Sequence, residues 1–185
     1  ALDESHAADD VRLVLRDAAM LRGRVMFQAG GVPGAVVYGY STADPSPSIV
    51  PSSCNEAGEF RVRLAPGTTE AALIVGAQGF SLRAVRVPVG KGPVAIELDQ
   101  NGGRLELAYA QGALPMVLRD GIIIHFGILA SWARANGGLV TSTHLVTQNV
   151  AAGDYVICPG GDASSSKCKR GTLAPLGQLR LAAAE

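Results

Sequence analysis

The chain has little charge of either sign and few aromatic residues. Only 17% of its 185 residues are charged and 5% are aromatic, and 16 basic and 16 acidic side chains give a formal net charge of zero. This balance lacks the electrostatic signature of nucleic-acid binding, so no nucleic-acid partner is predicted. The apolar fraction of 48% argues against an intrinsically disordered chain and predicts a packed core.

Long apolar runs are also missing. The longest run extends from Gly121 to Trp132 and carries His125. It is shorter than the roughly 18 apolar residues that identify a membrane-spanning helix, so no membrane span is predicted.

Catalytic and metal-binding motifs are missing too. The histidines His6, His125 and His144 have no H-x-H or H-E-x-x-H spacing, and the glycines form no P-loop or dinucleotide fingerprint. The Asp120-Gly121 dipeptide is interpreted as a turn rather than as a catalytic acid. No metal, no cofactor and no enzymatic activity is therefore predicted. A hydrolase is a remote alternative, because His125 and His144 could meet across neighbouring strands but would need a nucleophile and a carboxylate beside them in a cleft.

Glycine and proline are abundant, with 23 and 10 copies, and they separate short segments that have the two-residue period of β-strands. In one segment Phe60, Val62 and Leu64 alternate with Arg61 and Arg63, which predicts a half-buried, edge-like strand. No convincing amphipathic helix separates the strands, although residues 130–136 could form a short helical turn. The pattern predicts an all-β fold of two tandem antiparallel β-sandwich domains.

The second half of the chain echoes the first in the same order, which indicates two copies of one unit. Val94–Leu98 matches Val11–Leu15, Gly103–Leu107 matches Ala19–Gly23, and Ala152–Ile157 matches the strand that begins at Pro66.

These echoes lead to a prediction of domain boundaries. We predict a flexible leader over residues 1–10, one sandwich over residues 11–99 and a divergent second sandwich over residues 100–185. Pro88–Pro93 is the best candidate for a linker between them. Val11–Arg16 resembles the closing strand of a preceding unit, so one interpretation is that the chain is a fragment of a longer protein.

Five short motifs resemble the carboxypeptidase regulatory-like domain when they are taken together in order. They are Leu21-Arg-Gly-Arg-Val25, Gly31-Val-Pro-Gly-Ala-Val-Val37, Asn55-Glu-Ala-Gly-Glu-Phe60, Leu64-Ala-Pro-Gly67 and Gly79-Phe80. The resemblance covers about residues 11–99. The sequence departs from the family pattern at Ser53-Cys54-Asn55 and at Thr68-Thr69, which affects local packing and leaves the fold unchanged.

The resemblance implies a transthyretin-like or prealbumin-like β-sandwich that acts as a non-catalytic accessory module. It implies a structural or interaction role in a secreted or cell-envelope protein, with other domains of the parent protein as partners. The alternative is a carbohydrate- or peptide-binding module. In that case the loop 41–53 and the aromatic residues Tyr38, Tyr40 and Trp132 would form the contact surface, whereas buried aromatic residues would favour a spacer.

The three cysteines predict one disulfide and one free thiol. Cys158 and Cys168 flank a Gly- and Ser-rich loop, so they are expected to form a disulfide that pins this loop; the alternative is two reduced thiols. A disulfide implies an oxidising, extracytoplasmic compartment. Cys54 is left over and is expected to be an inert, partly buried thiol.

Overall fold

A computed structural model describes residues 17–44, 49–161, 163 and 165–183. The predicted leader and the predicted strand Val11–Arg16 lie outside the described residues. The described residues up to position 98 form eight strands. These are β1 (Ala19–Phe27), β2 (Gly30–Gly31), β3 (Val36–Ser41), β4 (Pro51–Ser53), β5 (Glu59–Leu64), β6 (Glu70–Gly76), β7 (Arg83–Pro88) and β8 (Val94–Glu97).

The eight strands form two sheets that face each other. In sheet 1, β1 pairs antiparallel with β5 and with the short β2, and parallel with β8. Sheet 2 is antiparallel in the order β4-β3-β6-β7. The predicted alternation in β5 is confirmed, because Phe60, Val62 and Leu64 are buried between the sheets while Arg61 and Arg63 are exposed.

The remaining described residues include eight further strands, one α-helix and a short 3-10 turn at Pro159–Gly161. The strands and the α-helix are β9 (Gly103–Ala108), β10 (Met116–Arg119), β11 (Ile122–Ile124), α1 (Phe126–Ala135), β12 (Leu139–Val140), β13 (His144–Val150), β14 (Gly153–Cys158), β15 (Lys169–Leu173) and β16 (Gln178–Ala182). Sheet 3 has the order β12-β13-β9-β16, and sheet 4 has the order β11-β10-β14-β15. No helix in the described part of the chain is long and apolar enough to cross a membrane.

The two halves repeat one strand topology. β1 pairs antiparallel with β5 and parallel with β8, and β9 pairs in the same way with β13 and β16. The order β4-β3-β6-β7 of sheet 2 corresponds to the order β11-β10-β14-β15 of sheet 4. We therefore call the two halves the first and the second repeat. The all-β sandwich class that the sequence predicts is present in both.

The chain passes from the first repeat to the second through residues 98–102, between β8 and β9. The proline-rich segment Pro88–Pro93 does not form this connection. It joins β7 to β8, and both strands belong to the first repeat. β7 belongs to sheet 2, whereas β8 pairs parallel with β1 in sheet 1. This turn-rich segment therefore crosses from sheet 2 back to sheet 1.

Sheet 2 is a middle layer, and its strand β6 is buried on both faces. Along β6, Ala71, Leu73 and Val75 face sheet 1 and pack with the core of the first repeat. Ala72 and Ile74 alternate with them and pack into the core of the second repeat. Each of these five side chains is at most 1% exposed. The two repeats are therefore joined through a continuous apolar layer, and neither has a core that is separate from the other.

Backbone hydrogen bonds also join the repeats. The amide of Leu82, just before β7, donates to the carbonyl of Asn149 at 2.7 Å, and the amide of Ala151 donates to the carbonyl of Leu82 at 3.0 Å. Asn149 lies in an irregular stretch of β13 and has a φ of 55°. This local distortion turns its carbonyl out of sheet 3 and toward the first repeat.

Arg119 joins the repeats with its side chain. The guanidinium donates to the carbonyl of Ala84 in the first repeat at 2.9 Å, and to the carbonyl of Ala152 in the second at 2.6 Å. Its side chain is only 12% exposed. A charged donor held in this way satisfies carbonyl groups that would otherwise be left without partners at the interface.

Cys158 and Cys168 form a disulfide, and their Cα atoms lie 4.2 Å apart. Cys158 ends β14 and Cys168 precedes β15, so the bond closes the connection between two paired strands. Cys54 is a free cysteine, and burial raises the pKa of its thiol to about 11. Since the thiolate is the reactive form, this thiol is inert in the folded protein.

These placements predict the result of a thiol count. We expect the folded protein to show no reactive thiol, the denatured but unreduced protein to show one, and the denatured and reduced protein to show three. A thiol-specific chromophoric reagent measures all three states. A denatured, unreduced count of three in wild type, or of one in a Cys54→Ser variant, would contradict the assignment.

Candidate binding cleft between the two repeats

A cleft of about 370 Å³ lies where the end of sheet 2 meets α1. The first repeat contributes residues of β3 and of the turn after β6, and the second repeat contributes one side of α1. The side chains that determine its chemistry are Val36, Tyr38, Gln78, Ile128, Ser131 and Trp132. No charged side chain lines it among the described residues. The cleft therefore suits an uncharged ligand that offers both hydrogen-bonding groups and flat or apolar surface.

Trp132 lies on α1 and forms one wall of the cleft while it also closes the interface. Its indole nitrogen donates to the carbonyls of Gln148 at 3.0 Å and Asn149 at 3.3 Å. Its ring lies directly against Gly76, where a Cβ atom would come within 2.5 Å of the ring. Gly76 is thus required for this close approach, and the half-buried ring is held in place on two sides.

The helix that carries Trp132 is longer than the sequence suggests. The sequence predicts only a short helical turn over residues 130–136, whereas α1 covers Phe126–Ala135. The first residues of α1 belong to the apolar run 121–132, and Ile128, Leu129 and Ala133 are buried against the core of the second repeat. Tertiary packing therefore extends a helix whose local pattern is weak.

Tyr38 is the second aromatic wall of the cleft. It is half-buried on β3, opposite Ile74 of β6 and Pro51 of β4. Its hydroxyl has no hydrogen bond to any residue that the structure describes. Tyr38 and Trp132 are thus two of the predicted contact residues that the fold brings to one cleft.

Tyr40, the third predicted contact residue, lies away from the surface. It is 5% exposed, and its hydroxyl donates to the carbonyl of Ile123 at 2.6 Å. Burial raises the pKa of this hydroxyl to about 12. Because Tyr40 is two residues from Tyr38 on the same face of β3, it enters the part of that face which the second repeat covers. It is an interface residue and cannot contribute to an exposed contact surface.

The predicted loop 41–53 is shorter than the sequence suggests. Ser41 ends β3, and Pro51–Ser53 form β4, which pairs with Val36–Tyr38. Proline is tolerated there because β4 is an edge strand of sheet 2. Residues 45–48 lie outside the described residues. The described loop residues 42–44, 49 and 50 do not line the cleft.

His125 and His144 do not lie on neighbouring strands. His125 follows β11 of sheet 4 and precedes α1, whereas His144 begins β13 of sheet 3. The ring of His125 packs edge-on against Tyr40, with the ring centroids 5.3 Å apart. The exposed His144 is hydrogen-bonded through Nδ1 to the hydroxyl of Thr143 at 2.8 Å. Within the described residues, no three His, Cys, Asp or Glu side chains are grouped as a metal would require.

The interpretation of Asp120-Gly121 as a turn is confirmed. Asp120, which could be read as a catalytic acid or a turn residue, occupies with Gly121 the two-residue hairpin between β10 and β11. Both residues have positive φ, of 50° and 75°. This is the geometry of the hairpin turn that Asp-Gly sequences favour.

Comparisons with known proteins give no family for the chain. No family model matches it, and no curated protein matches it. Among solved structures, the Bacillus anthracis TIE protein aligns at 11% identity and a TM-score of 0.35. The alignment covers 89% of this chain and 33% of that protein. This chain thus spans about a third of the length of that relative.

Two further structures align over nearly their whole length. A DUF3823 family protein from Parabacteroides merdae is 13% identical, with a TM-score of 0.37 and coverage of 86% of this chain and 98% of that one. The shaft pilin spaA from Lactobacillus rhamnosus GG is 10% identical, with a TM-score of 0.31 and coverage of 91% and 99%. All three scores lie below 0.5, and the fold class rests on the strands and sheets described above.

The surroundings of His125 predict how stability depends on pH. Its Nε2 atom is buried without a hydrogen-bond partner, and burial lowers the pKa of the imidazole below its ordinary value of about 6.5. The unfolded chain therefore binds a proton more readily than the folded one. We expect the free energy of unfolding to be constant above about pH 7 and to fall as the pH decreases through 6.5 toward the folded-state pKa.

Urea unfolding at pH 7.5 and 5.5 measures this effect. A His125→Phe variant should lose most of the difference between the two values, since Phe keeps a ring against Tyr40 and cannot be protonated. A His144→Gln variant should keep the difference. The assignment would be wrong if His125→Phe retained the full pH dependence.

Proposed function

We propose that the chain is a non-catalytic structural and interaction module of a secreted or cell-envelope protein. In this proposal it consists of a carboxypeptidase regulatory-like sandwich over residues 11–99 and a second, divergent sandwich over residues 100–185, and the two work as one rigid unit. The observation that supports it most strongly is the burial of strand β6 of sheet 2 on both faces. A spacer must hold its neighbours at a fixed distance and angle, and a shared apolar layer resists bending better than a flexible linker does.

The polar contacts across the interface support the same role. Arg119 spans both repeats, and Leu82 exchanges backbone hydrogen bonds with the second repeat on both its amide and its carbonyl. Such directional contacts fix the angle between two bodies, whereas apolar packing alone permits sliding. The disulfide Cys158–Cys168 supports an extracytoplasmic location, because such bonds persist in oxidising compartments.

The proposal predicts that the whole chain unfolds in one cooperative transition. Far-UV circular dichroism and the fluorescence of Trp132, the only tryptophan of the chain, should give coincident denaturation curves. An Ile74→Ala substitution removes apolar volume at the interface and should lower the free energy of unfolding by about 2–5 kcal/mol while leaving one transition. A Val50→Ala substitution is the control, since Val50 is 71% exposed. Two separate transitions in wild type would contradict a rigid unit.

A second candidate function is binding of a neutral sugar or peptide chain in the cleft. The observation in its favour is that the unpartnered hydroxyl of Tyr38, the fixed ring of Trp132 and the exposed side chain of Gln78 line the same cleft. An aromatic ring provides a flat apolar surface, and the hydroxyl and amide provide the few polar groups that orient a ligand.

Trp132 fluorescence tests this second function directly. Titration with neutral oligosaccharides and with uncharged extended peptides should change its emission and should saturate. Tyr38→Ala and Gln78→Ala should each weaken binding by about fivefold to tenfold, as the loss of one hydrogen bond does. Gln111→Ala is the matched control, because Gln111 is an exposed turn residue away from the cleft. Equal losses in Gln78→Ala and Gln111→Ala would exclude the cleft.

A further inference from the structure

Four arginines share the solvent face of sheet 1, on the side of the first repeat away from sheet 2. They are Arg22 and Arg24 on β1 and Arg61 and Arg63 on β5, and all four are exposed. Alternate residues of a strand lie about 6.6–6.8 Å apart on one face, and directly opposite residues lie about 5 Å apart. The four guanidinium groups therefore form a compact basic surface, which we call the arginine face, on a chain whose net charge is zero.

The arrangement of the arginine face is electrostatically unfavourable for the protein alone. Arg22 lies directly opposite Arg61 in the register of β1 and β5. Like charges in directly opposite positions destabilise a sheet. Arg22, Arg61 and Arg63 form no hydrogen bond or ion pair with any described residue, and Arg24 donates only to the carbonyl of Ala57.

Some other arginines of the chain form ion pairs. Five of them lie within 4.0 Å of a carboxylate, and two of these share Glu106. They are Arg83, Arg86, Arg104, Arg119 and Arg180. Six described arginines form no ion pair; four of them lie on the arginine face, and the other two are Arg134 on α1 and Arg170 on β15.

The two carboxylates of this face, Glu59 and Glu97, form no ion pair with its arginines and offset only part of its positive charge. Glu59 lies opposite Arg24 in the register, but its carboxylate accepts a hydrogen bond from the side chain of Asn55 at 3.0 Å. Glu97 on β8 lies opposite Met26 and accepts from the backbone amide of Gln28 at 3.0 Å. Both carboxylates are at the end of the face that is away from Arg63.

Protection of an exposed sheet edge does not explain the whole arrangement. Charged residues on edge strands prevent unwanted pairing with other chains, and β5 is an edge strand, so Arg61 and Arg63 could serve in this way. β1, however, lies between β5 and β8. Arg22 and Arg24 are therefore not on an edge, and their charge needs another reason.

We propose that the arginine face binds a linear acidic polysaccharide. Guanidinium groups bind carboxylates and sulfates through paired hydrogen bonds, and a row of them on a flat sheet matches an extended polyanion better than a single small ion. A depression of about 480 Å³ lies on this face. It is lined by Arg22, Arg24 and Arg61 together with one carboxylate, Glu59, so three positive charges and one negative charge face a bound chain there.

Two observations favour a polysaccharide over a nucleic acid. The disulfide Cys158–Cys168 places the protein where oxidising conditions hold, which is where extracellular polysaccharides are found. Proteins that bind single-stranded nucleic acids also supply exposed aromatic rings for base stacking. Among the described residues of sheet 1, Phe60 is buried between the sheets, and Phe27 packs against Phe80. The binding site does not involve the cleft, so this proposal stands independently of the function proposed above.

Affinity measurements with defined polymers test the proposal. The full chain should bind polygalacturonate and dextran sulfate and should not bind neutral dextran, and binding should weaken as salt is added. The double variant Arg22→Gln/Arg61→Gln should raise the dissociation constant about tenfold or more, as expected for the loss of charge-assisted hydrogen bonds. The matched control is Arg104→Gln/Arg180→Gln, which removes the same charge from sheet 3 and should leave the dissociation constant unchanged.

Thermal unfolding separates loss of binding from loss of folding. Because Arg22→Gln/Arg61→Gln removes a like-charge pair, its unfolding midpoint should equal or exceed that of wild type. The proposal is overturned if the two double variants lose affinity equally, which would indicate a response to net charge alone. It is also overturned if single-stranded DNA or anionic phospholipid vesicles bind more tightly than both acidic polysaccharides, or if no acidic polymer binds.

Discussion

The fold depends on the burial of β6, a strand of sheet 2, on both of its faces. A strand in a two-layer sandwich usually places every second side chain in the core and the others in water. β6 buries both sets, because Leu73 and Val75 complete the first repeat while Ile74 completes the second. Without the second repeat, Ile74 would be exposed to solvent, and without sheet 1, Leu73 and Val75 would be exposed. Each repeat therefore depends on the other for part of its stability. The two repeats thus share one strand topology, but their packing is not independent.

This constraint explains the features gathered at the junction. Gly76 has no side chain because the ring of Trp132 needs its space. Asn149 adopts positive φ because its carbonyl must reach the amide of Leu82. Tyr40 is an aromatic residue with a polar end, so it can be buried at the interface and still satisfy its hydroxyl on Ile123. The cleft beside Trp132 is the part of the junction that this packing leaves open.

Much of the fold follows from local pattern, whereas the relation between the repeats does not. The alternation of Phe60, Val62 and Leu64 predicts both the strand and its buried face, and the Asp120–Gly121 dipeptide predicts a turn. The continuous apolar run Ala71–Val75 is a signal of burial on two faces, and it is the sequence feature that identifies the middle layer. Its meaning depends on what lies on the second face, and that face is covered by residues of the second repeat, such as Leu105 and Leu129.

The candidate site shows the same limit. Tyr38 and Tyr40 are equivalent in a strand pattern, since both lie on one face of β3, but the second repeat buries Tyr40 and covers Tyr38 only partly. Trp132 comes from a helix that local propensity does not predict at its full length. Strand alternation in the sequence predicts that the four arginines of the arginine face point outward from β1 and β5. The sequence does not predict the register of these two strands, which places Arg22 beside Arg61.

The parallel pairing of the last strand of each repeat with its first strand has a consequence for how the protein is made. β1 cannot gain its partner β8 until nearly the whole first repeat has been synthesised, and β9 waits in the same way for β16. Folding of each repeat is therefore governed by contacts between distant parts of the chain, which makes it slow relative to folds with local contacts. Because the amino-terminal part of the chain is synthesised first, the apolar outer face of sheet 2 is exposed to solvent until the second repeat has been synthesised and has folded against it. During this interval the protein is most prone to aggregation and most in need of a chaperone.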